Sequence, residues 1–332
     1  MKKFQTIVAT SVVALSASLS FGADCGDVTI AEMNWASASL LANIDKIILT
    51  EGYGCNAELV IGDTMPTSTS MVEKGEPDIA PEMWTSAIAE VLERAVADKK
   101  IRYAGRSLSE GGEEGFWVPQ YMVDKFPEMA TIEGVLKHKE LFTNPENPDT
   151  FRFMGCPAGW NCQITTANLF KALDLEEAGF ELVDPGSGAG LAGSIAKAYE
   201  REEAWFGYYW APTALLGKYV MQKVDFGSGI DAEHFKKCIG NKDCIDPQVT
   251  MFPPSDVWTV VGEEFAANAG APIMEYLNSR SMTNAQTNEL LAWIEENQAD
   301  GEFGAMYFLD NYPTIWKQWV SDDVAKKVMS SL

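Results

Sequence analysis

The sequence predicts an α/β protein in two lobes, each built on a parallel-type sheet with helices on its faces. Three observations lead there. Strand and helix patterns alternate over the first third of the chain, they alternate again in its middle, and the chain outgrows a single core. Roughly 310 residues follow the leader described below, more than one simple hydrophobic core holds.

The first alternation starts with Val28-Thr29-Ile30-Ala31-Glu32-Met33, which reads as a strand. Ser37 to Leu40 leads into the helical spacing of Leu41, Ile44, Ile47 and Ile48, and Gly52-Tyr53-Gly54 stops that helix. Ala57 to Ile61 is a second strand, Thr67 to Lys74 a short helix closed by Gly75, and Pro77 to Ala80 a third strand. This βαβαβ order implies parallel strands, whose ligands lie beyond the strands' C-terminal ends. Trp35 and Trp84 fall just past two such ends.

The second alternation runs from Phe151-Arg152-Phe153-Met154 through a helix at Thr165–Leu173 to the strand Phe180–Val183. Asp184-Pro185-Gly186-Ser187-Gly188 then turns into a helix through Tyr199, and Ala204 to Tyr209 forms an aromatic strand broken at Ala211-Pro212. No sequence repeat relates the two halves. Gly115-Phe116-Trp117-Val118-Pro119 and Trp258-Thr259-Val260-Val261 are the expected crossover strands. From Ala285 onward the pattern is amphipathic and helical, with Leu290, Leu291, Ile294, Trp316 and Trp319 as packing residues. The expected division is a leader at 1–22, lobe 1 at 23–116 and 251–332, and lobe 2 at 117–250.

The leader has Lys2 and Lys3, an apolar run from Ile7 to Leu19, and small residues at Ser20 and Gly22 before a cleavage point at Ala23. Asp24 before Cys25 does not fit a lipoprotein box, so an exported, soluble mature chain is expected. An even set of six cysteines in such a chain suggests disulfides. Six allow about 15 connectivities. The equal spacing of Cys156/Cys162 and Cys238/Cys244 favours two short loops and leaves Cys25 for Cys55. No C-x-x-C occurs, and neither His138 nor His234 sits in a ligand-spaced cluster, so no metal site is expected.

With 48 acidic against 25 basic residues, two of the latter in the leader, the formal charge of −23 repels nucleic acid and anionic lipid. A hydrophobic content of 46% and ten tryptophans exclude an acidic disordered chain. Catalytic signatures are missing: there is no G-x-S-x-G, no Walker A and no fitting G-x-G-x-x-G. Gly186 to Gly190 lacks the lysine of a phosphate loop. The pairs Glu113/Glu114 and Glu202/Glu203 read as solvated faces. Neither an enzyme nor a cofactor is expected.

Trp35, Trp84, Trp160 and Trp210 carry more information, because each stands beside a turn or a strand end. For any one of them, core packing competes evenly with a ligand-facing role. Together, in equivalent places on both lobes, they favour a shared pocket. A methylated ammonium group offers no strong donor and spreads its charge over methyls. Aromatic faces therefore suit it, at about 0.5–2 kcal/mol per contact.

At these residues the chain resembles the glycine betaine, proline betaine and choline-type substrate-binding proteins of ABC transporters. The most specific stretch is Gly155-Cys156-Pro157-Ala158-Gly159-Trp160-Asn161-Cys162, which is similar to the disulfide-closed loop of the betaine branch. The resemblance implies the two-lobed type II periplasmic binding protein fold. It makes Trp160 a cage wall, and the backbone amides of Asn161 and Cys162 the donors to the ligand's oxygen. Pro77-Asp78-Ile79 leading to Trp84-Thr85 and Tyr209-Trp210-Ala211-Pro212 resemble the elements that supply two further walls. Asn34-Trp35 resembles the choline branch, where a tryptophan after the first strand closes the box, and Trp117 lies where that branch adds an aromatic.

Two departures bear on the ligand. Ile88 stands where the betaine branch has a carboxylate-binding histidine, and Ser37 where the choline branch has a hydroxyl-binding acid. Four tryptophans with fewer polar handles suit a compact trimethylated ligand such as trimethylamine N-oxide, with glycine betaine beside it. Choline or a sulfonium compound is the alternative. Glu114, near the crossover, is the acid expected to donate to such an oxygen when protonated. The resemblance further implies a monomer that delivers its ligand to an ABC permease from the periplasm. A same-fold binder of an amino acid is the rival reading, with Arg152 and Asp184 as its charged candidates.

Overall fold

A computed structural model describes residues 25–332; the expected leader lies outside the described residues. The strands are β1 (Asp27–Met33), β2 (Asn56–Gly62), β3 (Ile79–Trp84), β4 (Ile101–Arg106), β5 (Glu113–Pro119), β6 (Phe151–Met154), β7 (Phe180–Val183), β8 (Gly207–Ala211), β9 (Met221–Lys223) and β10 (Val257–Gly262). They form two five-stranded sheets, ordered β2-β1-β3-β10-β4 in lobe 1 and β7-β6-β8-β5-β9 in lobe 2.

Both sheets are of the expected parallel type, and each is mixed by one antiparallel strand. β1 runs parallel to β2 and β3, and β6 runs parallel to β7 and β8. The antiparallel member in lobe 2 is β5, which pairs with β8 and β9; in lobe 1 it is β10, which pairs with β3 and β4. These are the two strands that enter each lobe from the other, so their direction is set by the crossing and not by a helical return. The first crossing falls between Arg106 and Glu113, the second between Lys223 and Val257. Glu113 to Phe116, expected at the end of lobe 1, therefore pair within the lobe 2 sheet.

Helices flank both sheets. Ala36–Ile47 follows β1 and packs on Gly301–Asn311, so the C-terminal helices close the outer core of lobe 1 around Leu40, Ile44, Phe308 and Trp316. That core holds a fully buried ion pair, Arg280 Nε to Asp45 Oδ1 at 2.8 Å. Arg280 also donates through Nη2 to the carbonyl of Pro81 at 3.0 Å, which ties β3 to the C-terminal half. Breaking a buried pair of this kind costs about 3–5 kcal/mol. The core of lobe 2 is aromatic, with Phe116, Phe153 and Phe206 in edge contacts. Disulfides join Cys25 to Cys55, Cys156 to Cys162 and Cys238 to Cys244. Among the described residues no helix is long and apolar enough to cross a membrane.

Candidate ligand-binding site

Lobe 1 brings two tryptophans together through the ends of its parallel strands. Trp35 caps the helix that follows β1, and Trp84 is the last residue of β3. Alternation along β3 puts Glu82 on the same face as Trp84. One carboxylate oxygen of Glu82, Oε1, accepts from Trp35 Nε1 at 2.7 Å, from Trp84 Nε1 at 3.0 Å and from Ser37 Oγ at 2.9 Å. Glu82 is fully buried, and its Oε2 has no partner. Burial pushes its carboxyl above the usual range, against the pull of the two indoles, the Ser37 hydroxyl and Arg280. The Trp84 ring lies over Gly112: a Cβ there would meet ring atoms at 2.2 Å, so only glycine admits the ring.

Lobe 2 supplies Trp210 from β8 and Trp160 from the loop closed by Cys156–Cys162. Trp210 sits opposite Glu114 in the β5–β8 ladder, and Tyr208 lies two residues earlier on the same face. The Tyr208 hydroxyl donates to Glu114 Oε1 at 2.8 Å. Glu114 is 3% exposed, and burial raises its carboxyl above the usual range, with Tyr208, Ser255 and Lys223 pulling the other way. Trp160 stands edge-on to Trp210 at 5.0 Å and to Trp35 at 5.1 Å. Its Nε1 donates across the interface to Asn34 Oδ1 at 2.6 Å and to Asp63 Oδ1 at 3.2 Å. Asn161 Nδ2 donates to the carbonyl of Trp84 at 2.8 Å, and Met65 N to the carbonyl of Gly159 at 3.1 Å. The cysteine-closed loop is thus one part of lobe 2 that locks onto lobe 1, beside the Lys218–Glu295 and Lys236–Glu93 ion pairs.

These groups surround one tightly closed cavity of about 20 Å³, lined by Trp35, Thr64, Trp84, Glu114, Trp160, Asn161, Cys162, Tyr208 and Trp210. The side chains have drawn together there, far below the about 300–1,000 Å³ of sites for drug-sized molecules. Cys162 opens the helix Cys162–Ala172, and a helix start leaves its first amides without intrahelical partners. Seven of the eight residues singled out in the sequence line this space. Trp117 does not. It lies on the opposite face of β5 from Glu114, where its Nε1 donates to the carbonyl of Tyr209 at 3.0 Å.

Other expectations also change. Glu113 and Glu114 are not a solvated pair: strand alternation turns Glu113 out to Lys223 and Glu114 into the cavity. Neither Arg152 nor Asp184 lines this cavity, and Asp184 closes its own turn by accepting from the amide of Gly186. Thr64, Tyr208 and Glu82 were missed. Glu82 carried a readable signal, as the one charged residue in the wholly buried run Ile79–Trp84. A larger groove of about 710 Å³ also touches Trp35 and Trp210. It is open and mainly apolar, and its acids at Glu32, Glu295 and Asp300 do not converge on one point.

With this geometry in hand, the comparisons are direct. A family model for the substrate-binding domain of ABC-type glycine betaine transport systems matches residues 26–311. The chain belongs to this family. Its members are solute-binding components of transporters and not enzymes. Solved structures agree on the fold. An ABC-transporter choline-binding protein in complex with choline is 16% identical, with 92% of this chain and 98% of that one covered at a TM-score of 0.71. A glycine betaine/L-proline-binding protein from Borrelia burgdorferi is 19% identical, with 91% and 99% covered at a TM-score of 0.71. A lactococcal protein of the family, closed on glycine betaine, is 17% identical, with 89% and 100% covered at 0.65. At these identities they show the two-lobed type II binding-protein fold.

Proposed function

We propose that this family member captures a small methylated ammonium or amine-oxide osmolyte in the tryptophan cavity, and that trimethylamine N-oxide fits it best. The observation that carries this reading is a buried acid, Glu114, facing a cavity walled by four tryptophans. The indole faces take the trimethylated cationic end. At about 0.5–2 kcal/mol each, with the desolvated methyls, such contacts support micromolar binding, near −8 kcal/mol. The oxygen needs donors. A protonated Glu114 is one, and the backbone amides of Asn161 and Cys162 at a helix start are others.

Glycine betaine is the second reading, supported by those amides, which suit a carboxylate. Against it stand the buried acid Glu114 in the cavity and the lack of any Lys, Arg or His among its lining residues. Choline or a sulfonium compound would use the same walls, with Glu114 ionised. Closure by hinge motion would bring Trp160 onto lobe 1, so that a ligand touching both lobes favours the closed state. Export to a periplasm, delivery to an ABC permease and a monomeric state complete the proposal.

Titration with trimethylamine N-oxide, glycine betaine, choline and a sulfonium analogue, followed by tryptophan fluorescence, tests it. Binding of none of the four contradicts the reading. The pH dependence separates the ligands. An oxygen held by protonated Glu114 loses its donor as pH rises through the raised carboxyl pKa, so trimethylamine N-oxide affinity falls with pH. Choline gains a counter-charge over the same window and binds more tightly. Glu114→Gln keeps a donor and should flatten the trimethylamine N-oxide profile.

A further inference from the structure

The cavity explains where a ligand sits but not what fixes the lobe 1 walls, and that role falls on a residue behind them. We propose that Glu82 is the positioning residue of the cage: a single carboxylate oxygen holds Trp35 and Trp84 in place, and its charge behind their rings selects ligands with a cationic end. The selectivity half of this rests on the function proposed above; the positioning half does not.

The geometry is specific. Two indole N–H groups, from residues 49 positions apart, and one hydroxyl converge on Oε1 at 2.7–3.0 Å. All three donors and Glu82 itself belong to lobe 1, so these bonds need no closure to form. Indoles have one donor each, and satisfying both on one buried acceptor fixes the ring planes as well as the ring positions. Three donors on one oxygen are the pattern of a carboxylate, not of an amide in competition with its own N–H.

The chemistry follows from the placement. Glu82 is not among the residues that line the cavity, whereas the two indoles it holds are. A carboxylate accepting from an indole N–H raises electron density on the ring, which strengthens the attraction of its face for a cation. Burial raises the Glu82 carboxyl while its three donors pull it toward the charged form; once ionised, its charge one ring away acts through a low dielectric in this water-excluded site. Arg280 pairs with Asp45 and donates to Pro81 and Thr259; it acts on Glu82 only through its field, and Glu82 has no salt-bridge partner. Ser37 takes on a new meaning here, since its hydroxyl serves Glu82 and not the ligand.

Two variants separate charge from positioning. Glu82→Gln keeps an acceptor oxygen at the same reach and removes the charge. It should bind tetramethylammonium, a probe with no oxygen, at least ten-fold more weakly than the wild type while its near-UV tryptophan circular dichroism stays unchanged. Glu82→Leu removes the acceptor, and the indole 15N–1H resonances of Trp35 and Trp84 should both move in the unliganded protein while those of Trp293 and Trp316 stay. Unchanged tetramethylammonium affinity in Glu82→Gln, or unmoved resonances in Glu82→Leu, overturns the proposal. If Glu82→Leu does not fold, the unliganded wild type decides: slow hydrogen exchange at both indole N–H groups supports the positioning, and fast exchange at either overturns it. A wild type that binds neither tetramethylammonium nor trimethylamine N-oxide overturns the functional reading and the selectivity with it, and the resonances then decide the positioning alone.

Discussion

The two halves of the cage are held in different ways. Trp35 and Trp84 share an acceptor inside their own lobe, whereas Trp160 hangs its indole N–H on Asn34 and Asp63 of the opposite lobe. Trp210 lies between these cases, set by its strand pairing with Glu114 and by contact with Tyr209. On the proposed closure, one half would stand before the lobes meet and the other would be completed by their meeting. A binding protein of this design offers a ligand a ready surface on one side and makes closure report occupancy on the other.

Removing a wall outright has the largest expected effect. Trp84→Ala and Trp160→Ala should each weaken trimethylamine N-oxide binding by about 2–4 kcal/mol, the range of central aromatic contacts. They should differ in the unliganded protein, where loss of Trp84 lowers the melting temperature and loss of Trp160 leaves it nearly unchanged. Gly112→Ala comes next. Its Cβ would meet the Trp84 ring at 2.2 Å, so the ring must shift. We expect a stability loss of about 1–3 kcal/mol, read by thermal melting, together with roughly ten-fold weaker binding. The smallest effect falls on the cross-lobe bond. Asn34→Ala takes one of two acceptors from Trp160, which should cost about 1 kcal/mol of affinity in a calorimetric titration and none of the unliganded stability. An equal loss of unliganded stability in Asn34→Ala and Gly112→Ala would erase the distinction between the halves.

Stability against pH offers an independent check. Glu82 and Glu114 are buried with carboxyl pKa values held above the usual range. The folded state then binds more protons than the unfolded one between the ordinary and the raised pKa values, so stability is greatest below that window and is lost as pH rises through it. Melting curves of Glu82→Gln and Glu114→Gln should each lose part of that slope.

Much of this was legible in the sequence, for identifiable reasons. Period-2 and period-3.6 patterns located β1, β2, β6 and β7, and parallel topology put Trp35 and Trp84 near strand ends where ligands bind. The mixed character of the sheets was not legible, because a crossing strand such as β10 has the same apolar alternation in either direction. Glu114 was named as a donor and also read as half of a solvated pair; only the register of β5 against β8 decides which way it faces. Trp117 misled for the same reason, being three residues further and on the other face. Glu82 was passed over because a carboxylate reads as surface unless its donors are known, and those donors come from Trp35 and Ser37, distant in sequence.

The central claim, that one half of the cage stands ready and the other closes around a methylated cation, can be read from indole 15N–1H resonances as trimethylamine N-oxide is added. The account predicts saturable shifts in which the Trp160 resonance moves most as it gains its acceptors in lobe 1, while Trp35 and Trp84 move less and Trp293 and Trp316 stay fixed. No shift at any cage tryptophan, or shifts at Trp35 and Trp84 as large as at Trp160, would contradict it.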